Sequence, residues 1–192
     1  MNIVIFGPPG AGKGTQSKFI VSKFNLYQLS TGDLLRSEIK NKTELGSKIS
    51  SIINSGELVS DKIVSNLIEK FVSNDTYKNK IIFDGYPRTL IQAKNLDDLL
   101  KKYEQKIDIV LNLSVSLETV KKRILERQTQ EKRADDSEAI AIKRYKTYEK
   151  SSLPVVDFYK QSNLLKVVNG EAGISEINSE ISGLIDTIKG WL

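Results

Sequence analysis

The chain has 192 residues, 29 basic and 24 acidic, for a formal charge of +5, with no cysteine, no histidine and one tryptophan. The absence of cysteine excludes disulfides, thiol catalysis, iron–sulfur clusters and cysteine zinc sites, and the absence of histidine removes the usual general base and the commonest metal ligand. Chemistry in this chain must use carboxylates, lysine, arginine, hydroxyls or backbone amides. The length suits one domain, which buries roughly 70% of its unfolded surface and needs no staples. No apolar run approaches the ~18 residues of a membrane span. The first run, Ile3-Val4-Ile5-Phe6, has no basic segment before it and is too short for a signal-peptide core. A soluble, cytoplasmic protein is expected.

Short apolar runs alternate with longer periodic segments. Residues 2–6 read as a strand, and 13–23 as a helix with Phe19, Ile20 and Phe24 near one face. After a strand at 27–29 come helical patterns at 33–40, 44–54 and 61–72, the last repeating Ile63, Leu67, Ile68 and Phe71. That is too much chain for one crossover, so part of it is expected to form a separate helical lobe. A strand at 80–83 precedes a helix at 90–103, and a strand at 108–113 precedes a helix at 117–126. Residues 128–136 are polar throughout and read as an exposed loop or small flap. A helix at 137–160, a strand at 165–168 and a helix at 174–188 close the chain. Runs such as Ile81-Ile82-Phe83 and Ile109-Val110-Leu111 have the continuous apolarity of strands buried on both faces. The alternation predicts an α/β fold, a parallel sheet with helices on both faces.

Gly7-Pro8-Pro9-Gly10-Ala11-Gly12-Lys13 fits the phosphate-binding pattern G-x-x-x-x-G-K, with a buried strand before it and an amphipathic helix after it. The glycines let successive N–H groups point inward at phosphate oxygens, the helix start adds its dipole, and Lys13 adds a charge for the β- and γ-phosphates. The usual pattern then has Ser or Thr as a Mg²⁺ ligand, but here Gly14 takes that place and Thr15 follows. Asp84, at the end of a buried strand beside the loop, is the acid able to hold Mg²⁺ through water. Six of the 29 basic residues are arginine: Arg36, Arg88, Arg123, Arg127, Arg133 and Arg144. Arginine's planar fork grips phosphate with two donors, which lysine cannot do.

The string Gly-Ala-Gly-Lys-Gly-Thr-Gln at 10–16 resembles the loop of adenylate kinases and their nucleoside monophosphate kinase relatives. Ser30-Thr31-Gly32-Asp33-Leu34-Leu35-Arg36 is similar to the family segment in which the threonine touches the AMP base and the arginine holds the AMP phosphate. Gly56-Glu57-Leu58-Val59-Ser60-Asp61 resembles the segment whose backbone lines the base pocket. Phe83-Asp84-Gly85-Tyr86-Pro87-Arg88-Thr89, with Gln92 beyond it, is similar to the signature whose arginine binds the AMP phosphate and whose glutamine reads the adenine edge. Arg123 and Arg127 match the arginines that open the lid, Arg133-Ala134-Asp135-Asp136 resembles the lid's Arg-x-Asp-Asp, and Arg144 matches the arginine on the next helix. The loop around Val168-Asn169-Gly170-Glu171-Ala172 looks like the one whose carbonyl meets the ATP base. Gln128 and Lys132 stand where the short-lid pattern has glycine.

The resemblance implies a P-loop three-layer fold with a five-stranded parallel sheet. Its core would comprise 1–29, 60–122 and 138–192, with an AMP-binding helical lobe at 30–59 and a short lid at 123–137. It also implies transfer of the γ-phosphoryl group of Mg·ATP to AMP, giving two ADP. The implied catalytic residues are Lys13, Arg88, Arg123, Arg133 and Arg144. ATP is expected at Gly10, Ala11, Gly12, Lys13, Gly14, Thr15, Arg123, Arg127 and Ala172. AMP is expected at Thr31, Arg36, Glu57, Leu58, Val59, Gly85, Tyr86, Pro87, Arg88, Gln92, Arg133 and Arg144. Mg²⁺ is the expected metal, and zinc is not. ATP, AMP and ADP are the expected partners, with neither nucleic acid nor membrane, for a monomer. The nearest rival is a UMP/CMP kinase, a subfamily that tends to have alanine at the place of Thr31 and asparagine at that of Thr89.

Overall fold

The computed structural model describes residues 1–131 and 135–190. Five parallel strands form one sheet: β1 (Ile3–Phe6), β2 (Tyr27–Ser30), β3 (Ile81–Asp84), β4 (Ile109–Ser114) and β5 (Leu165–Asn169). Their order is β2-β3-β1-β4-β5, with Val4 opposite both Phe83 and Val110. Every residue of β1 and β3 is buried. The pleat sends alternate side chains to opposite faces. Val4, Phe6, Phe83 and Val110 thus join one core layer, with α4 (Asp61–Val72), α5 (Leu90–Lys102) and α8 (Leu153–Gln161). Ile3, Ile5, Ile82 and Leu111 join the other, with α1 (Lys13–Phe24) and α9 (Ile174–Lys189). The α/β reading holds, and the parallel five-stranded sheet agrees with it. Among the described residues no helix is long and apolar enough to cross a membrane.

Because β3 and β4 flank β1, the chain leaving β1 emerges where the strand order divides, and a crevice opens at the strands' carboxyl ends. Two further helices, α2 (Thr31–Lys40) and α3 (Glu44–Asn54), stand between β2 and α4. Ser30 caps α2 by accepting the Asp33 N–H, and Thr43 caps α3 by accepting the Gly46 N–H.

Three local expectations are corrected. Phe19 is 46% exposed, because α1 buries the Gln16, Ile20, Phe24 stripe instead. The helix α6 (Leu117–Glu131) continues well past Glu126. Its last turn is polar, but Glu, Arg and Gln are strong helix formers, so polarity there does not mean loop. The long helix expected over 137–160 is two, α7 (Glu138–Ser151) and α8, divided at Ser152. Pro154 sits in the first turn of α8, where its missing N–H costs nothing.

The α2–α3 hairpin depends on Gly46, where a Cβ would overlap the backbone carbonyl of Glu38. Gly→Ala inside a helix ordinarily stabilises by about 0.8–1.0 kcal/mol. Here overpacking reverses the sign, and Gly46→Ala should destabilise the protein by about 1–3 kcal/mol in urea unfolding. A variant as stable as the parent, or more so, would contradict this packing.

Candidate active site

The loop between β1 and α1 is held by glycines at two kinds of position. Gly7 has φ 143°, and a Cβ there would meet the Leu113 carbonyl at 2.8 Å. Gly12 has φ 93°, and a Cβ there would enter open space with nothing within 4 Å. The first glycine lets the loop lie on the sheet, and the second keeps the concave side clear for a ligand.

Lys13 begins α1 and turns its side chain back under the loop. Nζ donates to the carbonyls of Gly7 at 2.8 Å and Pro8 at 2.9 Å. Burial pushes its pKa from 10.5 down to about 8, and Arg88, Arg144 and Arg127 push the same way against Asp84. Asp84 ends β3, 8% exposed, and its Oδ2 accepts from Gln28 Nε2 at 2.9 Å. A Cβ at Gly14 would come to 3.8 Å from that oxygen, so the carboxylate stands against the loop. Among the described residues no group of three or more carboxylates gathers as a metal cage.

After β3 the chain turns through Gly85 at φ 74°, where a Cβ would meet Arg88 Nη2 at 3.0 Å and Thr31 Oγ1 at 3.3 Å. The Gly85 carbonyl accepts from both Arg88 Nε and Thr31 Oγ1, each at 2.8 Å. The Thr31 hydroxyl proton is therefore committed to this turn, while Ser30 caps α2. The Nε contact aims the Arg88 fork into the cleft. Burial, together with the Arg144 charge, lowers the Arg88 pKa to about 10.

Arg36 contacts Asp33 at 2.5 Å and lies 4.0 Å from Asp135. Arg144 Nη1 donates to Asp135 Oδ2 at 2.9 Å and Asp136 Oδ1 at 3.1 Å. Arg127 grips Asp136 with both fork nitrogens, at 2.6 and 2.5 Å. Both carboxylates are buried, so the end of the expected exposed flap is an ion-paired core. They do not cap the helix that follows, because Ser137 itself accepts the Ile140 N–H. The cap needs only a short local hydroxyl, which frees the carboxylates for the arginines.

A cleft of about 870 Å³, open mouth included, runs from this cluster to the lobe. Gly7, Lys13, Arg36, Gly85, Pro87, Arg88 and Arg144 line it, together with Glu57, Leu58 and Val59. Glu57 also pairs with Lys143 at 2.9 Å. The Tyr86 side chain points into the core, 1% exposed, with its hydroxyl on the Gln92 carbonyl and beside Ser65. Gln92 is 2% exposed. Arg123, Arg127 and Ala172 are not among the residues lining the cleft. Arg123 instead reaches the Ala11 carbonyl at 3.5 Å, on the loop. Glu171, next to Ala172, accepts from the Ser116 N–H at 2.7 Å and ties that loop to the start of α6. Arg133 and Ala134 lie outside the described residues.

The sequence did not single out Tyr148, Ser152 or Gln28. Tyr148 and Ser152 line the cleft, and Ser152 donates to the Arg88 carbonyl at 3.1 Å. The Pro154 signal, read as a helix start, would have found the break that puts Ser152 there. Nothing local marks Gln28, whose partner is 56 residues away.

A family model described as adenylate kinase matches residues 5–164. The adenylate kinase of Pelagibacter ubique is 41% identical over 211 aligned positions, covering 96% of this chain and 99% of that protein. That of Porphyromonas gingivalis is 40% identical over 189, covering 98% and 97%. That of Leptospira biflexa is 41% identical over 179, covering 93% and 96%. With the phosphate loop, the cation-lined cleft and the parallel sheet in place, these matches establish that the chain belongs to the adenylate kinase family.

Proposed function

We propose that this protein transfers the γ-phosphoryl group of Mg·ATP to AMP, giving two ADP, reversibly. The observation that carries the reading is the convergence of Lys13, Arg36, Arg88 and Arg144 on one cleft that continues into the α2–α3 lobe. Phosphoryl transfer through a loose transition state needs placement and charge neutralisation more than covalent help. A site of lysine, arginines and backbone amides is therefore sufficient without histidine or cysteine.

Each residue follows as part of this proposal. The loop amides of residues 10–15 and Lys13 hold the β- and γ-phosphates. Arg36 and Arg88 hold the acceptor phosphate, and Arg123, Arg133 and Arg144 take up charge around the travelling group. Arg127 and the carbonyl of Ala172 meet the donor nucleotide. The Mg²⁺ that accompanies ATP neutralises phosphate charge, and Asp84 would hold it through water. A lone buried carboxylate against the loop fits a cation that keeps most of its waters. The lobe at 30–59 closes on AMP and the lid at 123–137 on ATP, excluding the water that would otherwise accept the phosphoryl group. A cytoplasmic monomer is the working unit. Among its large exposed apolar side chains, Phe19, Ile91, Leu125 and Val167 come from four separate elements.

A coupled assay of ADP formation at saturating Mg·ATP, run with AMP, CMP and UMP in parallel, tests the acceptor. AMP should be strongly preferred. Equal kcat/KM for CMP would place the protein with the pyrimidine kinases.

The Lys13 pKa of about 8 gives the free enzyme a pH signature. As pH rises through 8 the ammonium is lost and its attraction for phosphate with it. Bound phosphate favours the charged form, so the complex keeps its proton to higher pH. Hence kcat/KM for ATP should fall between pH 8 and 10 while kcat stays flatter. Parallel profiles for the two parameters would contradict the assignment to Lys13.

A further inference from the structure

We infer that Asp61 is a positioning residue that sets base specificity by fixing the orientation of the Gln92 amide; this rests on the reading that Gln92 meets the base of AMP. The amide is buried with both ends engaged. Its Nε2 donates to Asp61 Oδ1 at 2.8 Å, and its Oε1 accepts the Arg88 backbone N–H at 2.7 Å. Thr89 Oγ1 donates to the same Asp61 oxygen at 3.1 Å while accepting the Gln92 N–H at 3.1 Å. Arg88, whose backbone N–H holds the amide, and Val59, two residues before Asp61, line the cleft.

The chemistry of the partners leaves only one orientation for the amide. An ionised carboxylate only accepts and a backbone N–H only donates. Reversing the amide would set oxygen against oxygen at Asp61 and N–H against N–H at Arg88. A glutamine amide has two N–H donors and two oxygen lone pairs. One of each is taken here, which leaves one donor at the Asp61 end and one acceptor at the Arg88 end.

Adenine offers an acceptor, N1, beside a donor, the N6 amino group, and fits that remaining pair. Hypoxanthine offers the opposite order, the O6 acceptor and the N1–H donor, and needs the reversed amide. Asp61, together with the Arg88 N–H, therefore disfavours a 6-oxopurine monophosphate without touching it.

The test compares AMP and IMP as acceptors at saturating Mg·ATP, in the full chain and in Asp61→Asn. Asparagine can donate as well as accept, so the Asp61 end no longer selects an orientation and only the Arg88 N–H still does. The ratio of kcat/KM for AMP over IMP should fall at least about tenfold, the equivalent of one hydrogen bond's difference. KM for ATP and the melting temperature should barely move. Asp61→Ser, whose hydroxyl also works both ways and suits a helix start, should shift the ratio in the same direction if the asparagine variant folds poorly. An unchanged ratio, or equal losses for both acceptors, would overturn the inference and leave AMP phosphorylation standing. A wild-type protein that makes no ADP from AMP would overturn both.

Discussion

Like charges crowded into a desolvated cleft are the condition to which the rest of this molecule answers. Lys13 feels Arg88, Arg144 and Arg127, and Arg88 feels Arg144 and Arg36. Burial works in the same direction, lowering the pKa of both Lys13 and Arg88. Such a group is tolerable only when each cation is held by an acceptor, because a buried charge without a partner is costly. Carbonyls of the loop hold Lys13, the Gly85 carbonyl holds one nitrogen of Arg88, and Asp135 and Asp136 hold Arg144 and Arg127. The arrangement remains short of negative charge, which nucleotide phosphates would supply.

The fold brings these groups together from far apart in the chain. The loop leaves β1 at the centre of the sheet, Asp84 ends the neighbouring β3 with Arg88 just beyond it, and Arg144 arrives on α7. Small local features then set the angles. Gly85 gives room to Arg88 and Thr31 at once. The break at Ser152 ends α7 beside the cleft and ties Ser152 to the Arg88 backbone. Gly56, at φ 74°, lets the lobe's exit approach α7, where a Cβ would touch Arg144 Cγ at 3.0 Å. The exit of the α2–α3 segment and the arginine helix are thus packed on one another.

Much of this was legible in the sequence because it is written locally. Glycine spacing before Lys13, unbroken apolar strands and arginines scarce among lysines are short-range signals with direct physical causes. What escaped is long-range or ambiguous in period. Residues 128–131 are polar yet helical, since polarity reports exposure and not backbone state. Phe19 fell outside the buried stripe because a helix face is selected by what packs on it, here the sheet and α9. Asp135 and Asp136 sit in a segment that is polar in sequence, while their partners lie eight or nine residues away on neighbouring helices. Nor does any pattern pair Asp61 with Gln92, which meet only because α4 and α5 pack side by side.

The account stands or falls on arginine as a two-pronged phosphate ligand, and Arg88→Lys isolates that property. Lysine keeps the charge and loses the parallel donors. Steady-state kinetics should show kcat/KM for AMP falling about 10²-fold, the loss expected from misplacing an acceptor by about 1 Å, with KM for ATP and thermal stability nearly unchanged. If Arg88→Lys turns over AMP as well as the parent, charge alone suffices in this cleft and the geometric explanation of its arginines is wrong.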